Sequence, residues 1–254
     1  GVSFGNTGGG STWPTHGSSW NNVLIGNFYT GLYVTNTNHV QFYGMNIGGA
    51  EYGLRMEGED ITCTWFYGLT IECTNTKAIE LYGTTNPTGI HFDGVLLQSN
   101  TGEVIDLDGA NSCSFENVWF ENTGATGNEI TVNGSSNYFF KCLGLRKDID
   151  IEASAINNVF QNIEGNADSI PTLTVVSNAF NNAFNEVRLI NIVDNGTALV
   201  SSGTKFSGMI RNTNEGATSA ATAETDLQKI LIYGKILGYQ GTIEIKAAGR
   251  VSGT

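Results

Sequence analysis

The stretch Phe66-Tyr67-Gly68-Leu69-Thr70-Ile71 decides how this chain reads. An aromatic residue is followed by a turn-forming glycine and then by apolar residues at every second position. That period of two belongs to a strand with one buried face. The same pattern stands upstream as Phe42-Tyr43-Gly44-Met45-Asn46-Ile47 and downstream as Phe92-Asp93-Gly94-Val95-Leu96-Leu97. Followed along the chain, the aromatic anchors are Trp20, Phe42, Phe66, Phe92, Phe115, Phe140, Phe160, Phe184 and Phe206, spaced 20 to 26 residues apart with a mean near 23. A second alternating motif follows each of the first seven anchors: Leu32-Tyr33-Val34, Leu54-Arg55-Met56, Ile79-Glu80-Leu81, Ile105-Asp106-Leu107, Ile130-Thr131-Val132, Ile149-Asp150-Ile151 and Leu173-Thr174-Val175.

A unit this short cannot bury its own apolar face and must stack on its neighbours. Two or three strands in some two dozen residues fit one coil of a parallel β-helix. The leucine and asparagine signature of leucine-rich repeats and the calcium-binding nonapeptide are both missing. The expected fold is therefore all-β: a right-handed parallel β-helix of about nine coils over residues 20–210. Residues 1–19 read as an N-terminal cap, 211–226 as a linker, and 227–254 as the start of a C-terminal β domain.

Composition agrees. The 254 residues include 33 glycines, 28 asparagines and only 3 prolines, while 40% are hydrophobic and 14% charged. Disorder requires low hydrophobicity, and collagen a glycine at every third position; neither holds. Glycine and asparagine supply turns and positive φ. Coils stack about 4.8 Å apart, so each register position becomes a column along the molecule. The column two after the anchor reads Asn22, Gly44, Gly68, Gly94, Asn117, Cys142, Asn162, Glu186 and Gly208. Its asparagines are expected to hydrogen-bond one another and its small residues to let the sheet bend.

The net charge of −12 argues against duplex nucleic acid as a partner. No run of 18 apolar residues spans a membrane. The N-terminus has no basic or apolar signal region, and its lack of methionine suggests a piece of a longer protein. Cys63, Cys73, Cys113 and Cys142 have no metal-ligand spacing and read as buried free thiols.

Nine coils, the Gly/Asn-rich composition and the tail Glu224-Thr225-Asp226-Leu227, continued by Ile236-Leu237-Gly238-Tyr239-Gln240-Gly241-Thr242-Ile243-Glu244-Ile245-Lys246, together resemble a bacteriophage tailspike or tail-fibre protein. Members of that group carry a pectate-lyase-like β-helix followed by a C-terminal β domain. The resemblance covers most of the chain as architecture and about 30 residues as motif. It implies a homotrimer on the virion, beside other virion proteins and outside the host cell, that binds bacterial surface polysaccharide and often depolymerises it. A purely receptor-binding or structural virion protein, or a secreted polysaccharide-degrading enzyme, is the alternative. No Gly-His-Gly, Arg-Ile-Lys, GxSxG, HExxH or P-loop signature is present.

Outward columns locate candidate chemistry. At one, four and six residues past the anchor, Asp93 and Glu116 fall on adjacent coils, Glu116, Trp119 and Glu121 share a strand, and Tyr67, Lys141 and Arg146 lie nearby. Asp93, Glu116 and Glu121 are the candidate catalytic carboxylates, since a pair separated by about 5 Å or by about 6.5–9.5 Å suits retaining or inverting glycoside hydrolysis. Trp119 and Tyr67 offer flat apolar faces to a sugar, and Lys141 and Arg146 could hold an acidic one. The rival cluster is Glu80, Asp106 and Asp108 on the second sheet, with Glu57 and Tyr82 close by. Three carboxylates there could bind Ca²⁺; no other cofactor is expected. A solvated acidic face kept for solubility competes with both readings. A bare ladder of like charge is destabilising, so compensation by a cation, a partner chain or a raised pKa is expected.

Overall fold

The computed structural model describes residues 2–4, 15–57, 61–72, 74–83, 87–121, 126–194, 199–200 and 210–211. Every strand pairing within its sheets is parallel, and no described residue is helical. The chain forms a parallel β-solenoid, as the repeat predicts. One sheet runs, in order, through Val2–Phe4, Thr30–Val34, Tyr52–Glu57, Lys77–Tyr82, Glu103–Asp108, Ile130–Asn133, Ile149–Ile151, Thr172–Val175, Asn191–Asp194 and Ile210–Arg211. This is the second-motif sheet, and it keeps Leu32, Leu54, Ile79, Ile105, Ile130, Ile149 and Leu173 in one column. The other sheet carries the anchor motifs. Its short paired segments merge into continuous strands at His91–Gln98, Ser114–Glu121 and Tyr138–Leu145. A third, thin ladder of bridges runs Asn38–Thr62–Thr88–Asn111 and Ser135–Ile156–Phe180.

The anchor column is the spine of the core. Trp20, Phe42, Phe66, Phe92, Phe115, Phe139, Phe160 and Phe184 stand in register. From Phe42 onward their rings stack at 4.6 to 5.2 Å. That is the strand spacing imposed on side chains pointing the same way. Trp20, at the end of the stack, remains 37% exposed. The expected anchor Phe140 is off by one: Phe139 is fully buried in the column, and Phe140 faces out beside Glu116. The register recovers because pairing shifts between Leu143 and Leu145. The extra residue is Gly144, with φ of 86°, where a Cβ would come 2.6 Å from the Phe120 carbonyl oxygen. It is a β-bulge closed by glycine. The anchor expected at Phe206, Cys73, the linker after Arg211 and the C-terminal β segment lie outside the described residues. Val2–Phe4, within the segment read as a cap, pairs with Leu32–Val34 and extends the second-motif sheet.

Each coil turns at corners built from left-handed residues. Three before the anchor stand Gly17, His39, Cys63, Gly89, Ser112, Ser136, Asn157 and Asn181; two after it stand Asn22, Gly44, Gly68, Gly94, Asn117, Lys141, Asn162 and Glu186. All have positive φ, and Asn27, Gly49 and Ser99 repeat this at a third corner. Glycine adopts that region freely and asparagine more readily than other residues, which is what the composition provides. The second of these columns therefore ends its sixth rung with Lys141 rather than Cys142.

The asparagine ladder forms elsewhere than expected. It is buried two residues before the anchor: Cys113 N–H donates to Asn137 Oδ1, Asn137 N–H to Asn158 Oδ1 and Asn158 N–H to Asn182 Oδ1, at 2.9 to 3.0 Å. The amide groups donate in turn to the carbonyls of Ala110, Gly134 and Ala155. Of the free thiols, Cys113 and Cys142 are buried while Cys63 is half-buried at a corner. Burial pushes Cys113 up to about 12 and Cys142 higher still, so neither is a nucleophile at neutral pH.

Candidate functional site

Strand pairing turns the outer face of the anchor sheet into a grid. The residues on either side of each anchor both point outward, because the anchor itself points in. The column before the anchor reads Ser19, Gln41, Trp65, His91, Ser114, Tyr138, Val159 and Ala183; the column after it reads Asn21, Tyr43, Tyr67, Asp93, Glu116, Phe140, Gln161 and Asn185. Its centre is a polar quartet, His91 and Asp93 on one strand and Ser114 and Glu116 on the next. Below lie Trp65, Tyr43 and Tyr67, the two tyrosines stacked at 5.1 Å. Above lie Tyr138 and Phe140, stacked at 6.0 Å. From the Tyr67 level to the Phe140 level is three coil steps, roughly 14 Å at the usual strand spacing. The result is a polar floor between two aromatic walls.

Inside the quartet His91 Nδ1 lies 2.5 Å from Ser114 Oγ and 4.0 Å from Glu116 Oε1. Asn117, at the corner, donates Nδ2 to Asp93 Oδ1 at 2.7 Å. Tyr67 meets the His91 ring edge to face at 5.9 Å. Burial and then the charges of Tyr43 and Asp93 raise the Tyr67 phenol; burial and then Glu116 raise that of Tyr138. Both therefore stay protonated donors at neutral pH.

The structure brings Asp93, Glu116 and Tyr67 together as the sequence predicts, but separates them from the other candidates. Glu121 lies further along the Glu116 strand, past the left-handed corner at Asn117, where Gln98 donates to it at 3.3 Å. Trp119 is also past that corner, half exposed between Leu96 and Leu143. Lys141 occupies the corner column beside Asn117, exposed, with φ of 55°. Arg146 follows the bulge, its backbone N–H bound at 2.6 Å by the buried carboxylate of Glu129. His91, Ser114, Tyr138 and Phe140 were absent from the sequence-derived set. The signal for the first three was the outward column preceding the anchor, and for Phe140 it was the correct register of its coil.

The rival acidic cluster has a different character. Glu80 and Asp106 stand in adjacent outward positions, yet each is only 7% and 9% exposed. Lys77, which the sequence reading did not single out, lies between them: its Nζ is 2.8 Å from Glu80, in contact with Asp106, and 3.8 Å from Glu103. Arg55 reaches Glu80 from the other side at 2.8 Å and lies over the Tyr52 and Tyr82 rings. Burial alone would lower Lys77, but Asp106 and Glu80 outweigh it and hold the ammonium above the ordinary lysine range. Burial raises Asp106, with Lys77 opposing. The compensation demanded by the charge ladder is thus internal, and a Ca²⁺ ion at these carboxylates would have to displace Lys77. Asp108 is exposed and accepts from Asn133 at 3.0 Å. Among the described residues no group of three His, Cys, Asp or Glu side chains is placed to hold a metal, and no helix is long and apolar enough to cross a membrane.

By contrast, no lysine or arginine among the described residues is ion-paired with Asp93 or Glu116. Among the described residues the two carboxylates stand adjacent and half exposed between aromatic walls, with His91 Nδ1 at 4.0 Å from Glu116 and no lysine or arginine in ion-pair range. Comparison of the chain with protein-family models, with curated proteins and with solved structures finds no match. The resemblance to tailspikes therefore stands on sequence features, and the solenoid on its own geometry.

Proposed function

We propose that this solenoid recognises bacterial surface polysaccharide, in the manner of a phage tailspike or tail fibre, through the strip centred on His91, Asp93, Ser114 and Glu116. The observation that carries this reading is the adjacent Asp93–Glu116 pair, without a lysine or arginine partner among the described residues, framed by Trp65, Tyr67, Tyr138 and Phe140. Adjacent carboxylates cost stability unless something uses them. Polar groups that fix hydroxyls between aromatic faces are what a sugar chain needs, because a pyranose presents C–H faces and equatorial hydroxyls together. A virion location and a trimeric assembly belong to the same proposal through the resemblance.

The test is binding to purified capsular polysaccharides and O-chains. Binding to at least one of them, weakened about tenfold or more (~1.4 kcal/mol) by Tyr67→Ala and Phe140→Ala with unchanged circular dichroism, supports the reading. No binding across the panel, or variants that bind like the parent, removes it.

A depolymerase is the second reading, favoured by one observation. Asp93 and Glu116 are direct cross-strand neighbours on one face, the placement from which two carboxyl groups can reach the roughly 5–5.5 Å separation of retaining glycosidases. Shortened oligosaccharides that vanish in Asp93→Asn and Glu116→Gln would establish it. Binding without shortening leaves a pure adhesin.

A further inference from the structure

Resting on the glycan-binding reading of the strip, we propose that Ser114 and His91 are an acyl-transfer pair that removes ester-linked acyl groups, such as O-acetyl, from the bound sugar. Their side chains meet at 2.5 Å across two paired strands, held there by the ladder rather than by a mobile loop. Neither side chain is needed by the sheet: Ser114 N–H is taken by Ile90 O and His91 N–H by Thr64 O, each at 2.8 Å. The same column accepts Gln41, Val159 and Ala183 at other coils, so a hydrogen-bonding pair here is not a requirement of the fold. Both residues are half-buried and open onto the floor between the aromatic walls.

The chemistry follows from the contact. With Ser114 Oγ–H donated to an unprotonated Nδ1, the single N–H of the neutral ring is on Nε2. Oγ attacks the ester carbonyl while Nδ1 takes its proton, giving a tetrahedral oxyanion and an imidazolium. Glu116 Oε1, 4.0 Å from Nδ1, and Asp93, on the same strand as His91, supply the negative field that stabilises that cation. The sugar alkoxide leaves with the proton from Nδ1, and Ser114 remains acylated. Water then attacks the acyl-serine, gives its proton to His91 and releases the carboxylic acid as Oγ regains a proton. Because the Ser114 backbone N–H is committed to the ladder, donors to the oxyanion come from side chains. Asn117 uses one amide proton on Asp93 and carries a second. An oxyanion site without backbone donors predicts a slow esterase.

The experiment treats the full chain with a fluorophosphonate probe and, separately, with 4-nitrophenyl acetate. Substitutions are chosen from residues this column already accepts: Ser114→Ala and His91→Gln. The proposal expects a single probe adduct mapped to Ser114 by mass spectrometry, absent in both variants, and ester hydrolysis reduced roughly a hundredfold or more. Polysaccharide binding is measured on the same Ser114→Ala and His91→Gln chains: binding kept while adduct and hydrolysis are lost supports the proposal, and an adduct on Ser114 in a chain that binds no polysaccharide removes the glycan reading alone, so the two ideas fail separately. Absence of an adduct on Ser114, or hydrolysis unchanged in Ser114→Ala, overturns the proposal.

Discussion

The backbone N–H of Asn137 donates to the side-chain oxygen of Asn158 at 2.9 Å, deep inside the solenoid. The Asn158 amide gives its own protons to Gly134 O and Asn182 Oδ1, each at 2.9 Å. Replacing Asn158 with alanine strands a buried donor on Asn137, while Gly134 O keeps the Ile156 N–H at 3.2 Å. An unsatisfied buried group costs about 1–3 kcal/mol, and urea denaturation should show a loss of about that size. Asn181→Gly, at the exposed corner next door with φ of 55°, should change stability by less than about 1 kcal/mol.

Gly144 lets one strand absorb an extra residue. With φ of 86° and the Phe120 carbonyl 2.6 Å from where a Cβ would stand, Gly144→Ala combines backbone strain with a clash. A loss of about 2–3 kcal/mol is expected in thermal or urea unfolding. Gly94→Ala, at φ of 68° with no backbone atom nearer than 3.8 Å, should lose only about 1 kcal/mol.

These two sites also mark where sequence stopped being informative. The period, the inward Leu/Ile column and the outward positions of Glu80, Asp106, Asp93 and Glu116 were legible, because alternation and a fixed spacing determine them. Choosing between Phe139 and Phe140 was not, since both are aromatic and the bulge that compensates lies five residues downstream of the true anchor. Adjacent asparagines pose the same ambiguity: Asn157 and Asn181 form corners while Asn158 and Asn182 point inward, a difference of one residue that only the corner geometry decides. His91 and Ser114 stand one residue before their anchors, a position that a repeat counted forward from the aromatic residue does not include. Lys77 needed the register of three coils before its carboxylate partners could be known.

Lys77 is shared by Glu80, Asp106 and Glu103, so Lys77→Met leaves Asp106 and Glu103 without that cation and Glu80 with Arg55 alone. Breaking such a cluster costs about 3–5 kcal/mol, and that deficit should be seen at neutral pH. The sign with pH is fixed by the shifts. Lys77 is raised in the folded chain, so its contribution is complete below the ordinary lysine value of about 10.4 and is lost as the pH climbs through its folded value. Asp106 is raised too, so the folded state takes up its proton first. The deficit of the variant should therefore shrink as pH falls through the carboxylate range, around pH 4. An equal deficit at both pH values would refute the assignment.

Glu57 accepts from Tyr33 at 2.8 Å and from Tyr82. Tyr82 and then Tyr33 hold the carboxylate below its usual range despite burial; burial and then Glu57 raise both phenols. Spectrophotometric titration of Glu57→Gln should show two tyrosines ionising at lower pH than in the parent. Because the Glu57 value is depressed, its stabilisation is present above the carboxylate range and fades on acidification. The parent should accordingly lose more stability than Glu57→Gln between neutral and acid pH.

The central claim is that the strip around Asp93 and Glu116 meets the ligand, while the Lys77 cluster serves the fold. Hydrogen–deuterium exchange with and without a saturating bound polysaccharide tests it most directly. The account predicts new protection in His91–Gln98, Ser114–Glu121 and Tyr138–Leu145, and none in Lys77–Tyr82 or Glu103–Asp108. Protection confined to Lys77–Tyr82 and Glu103–Asp108 would contradict it.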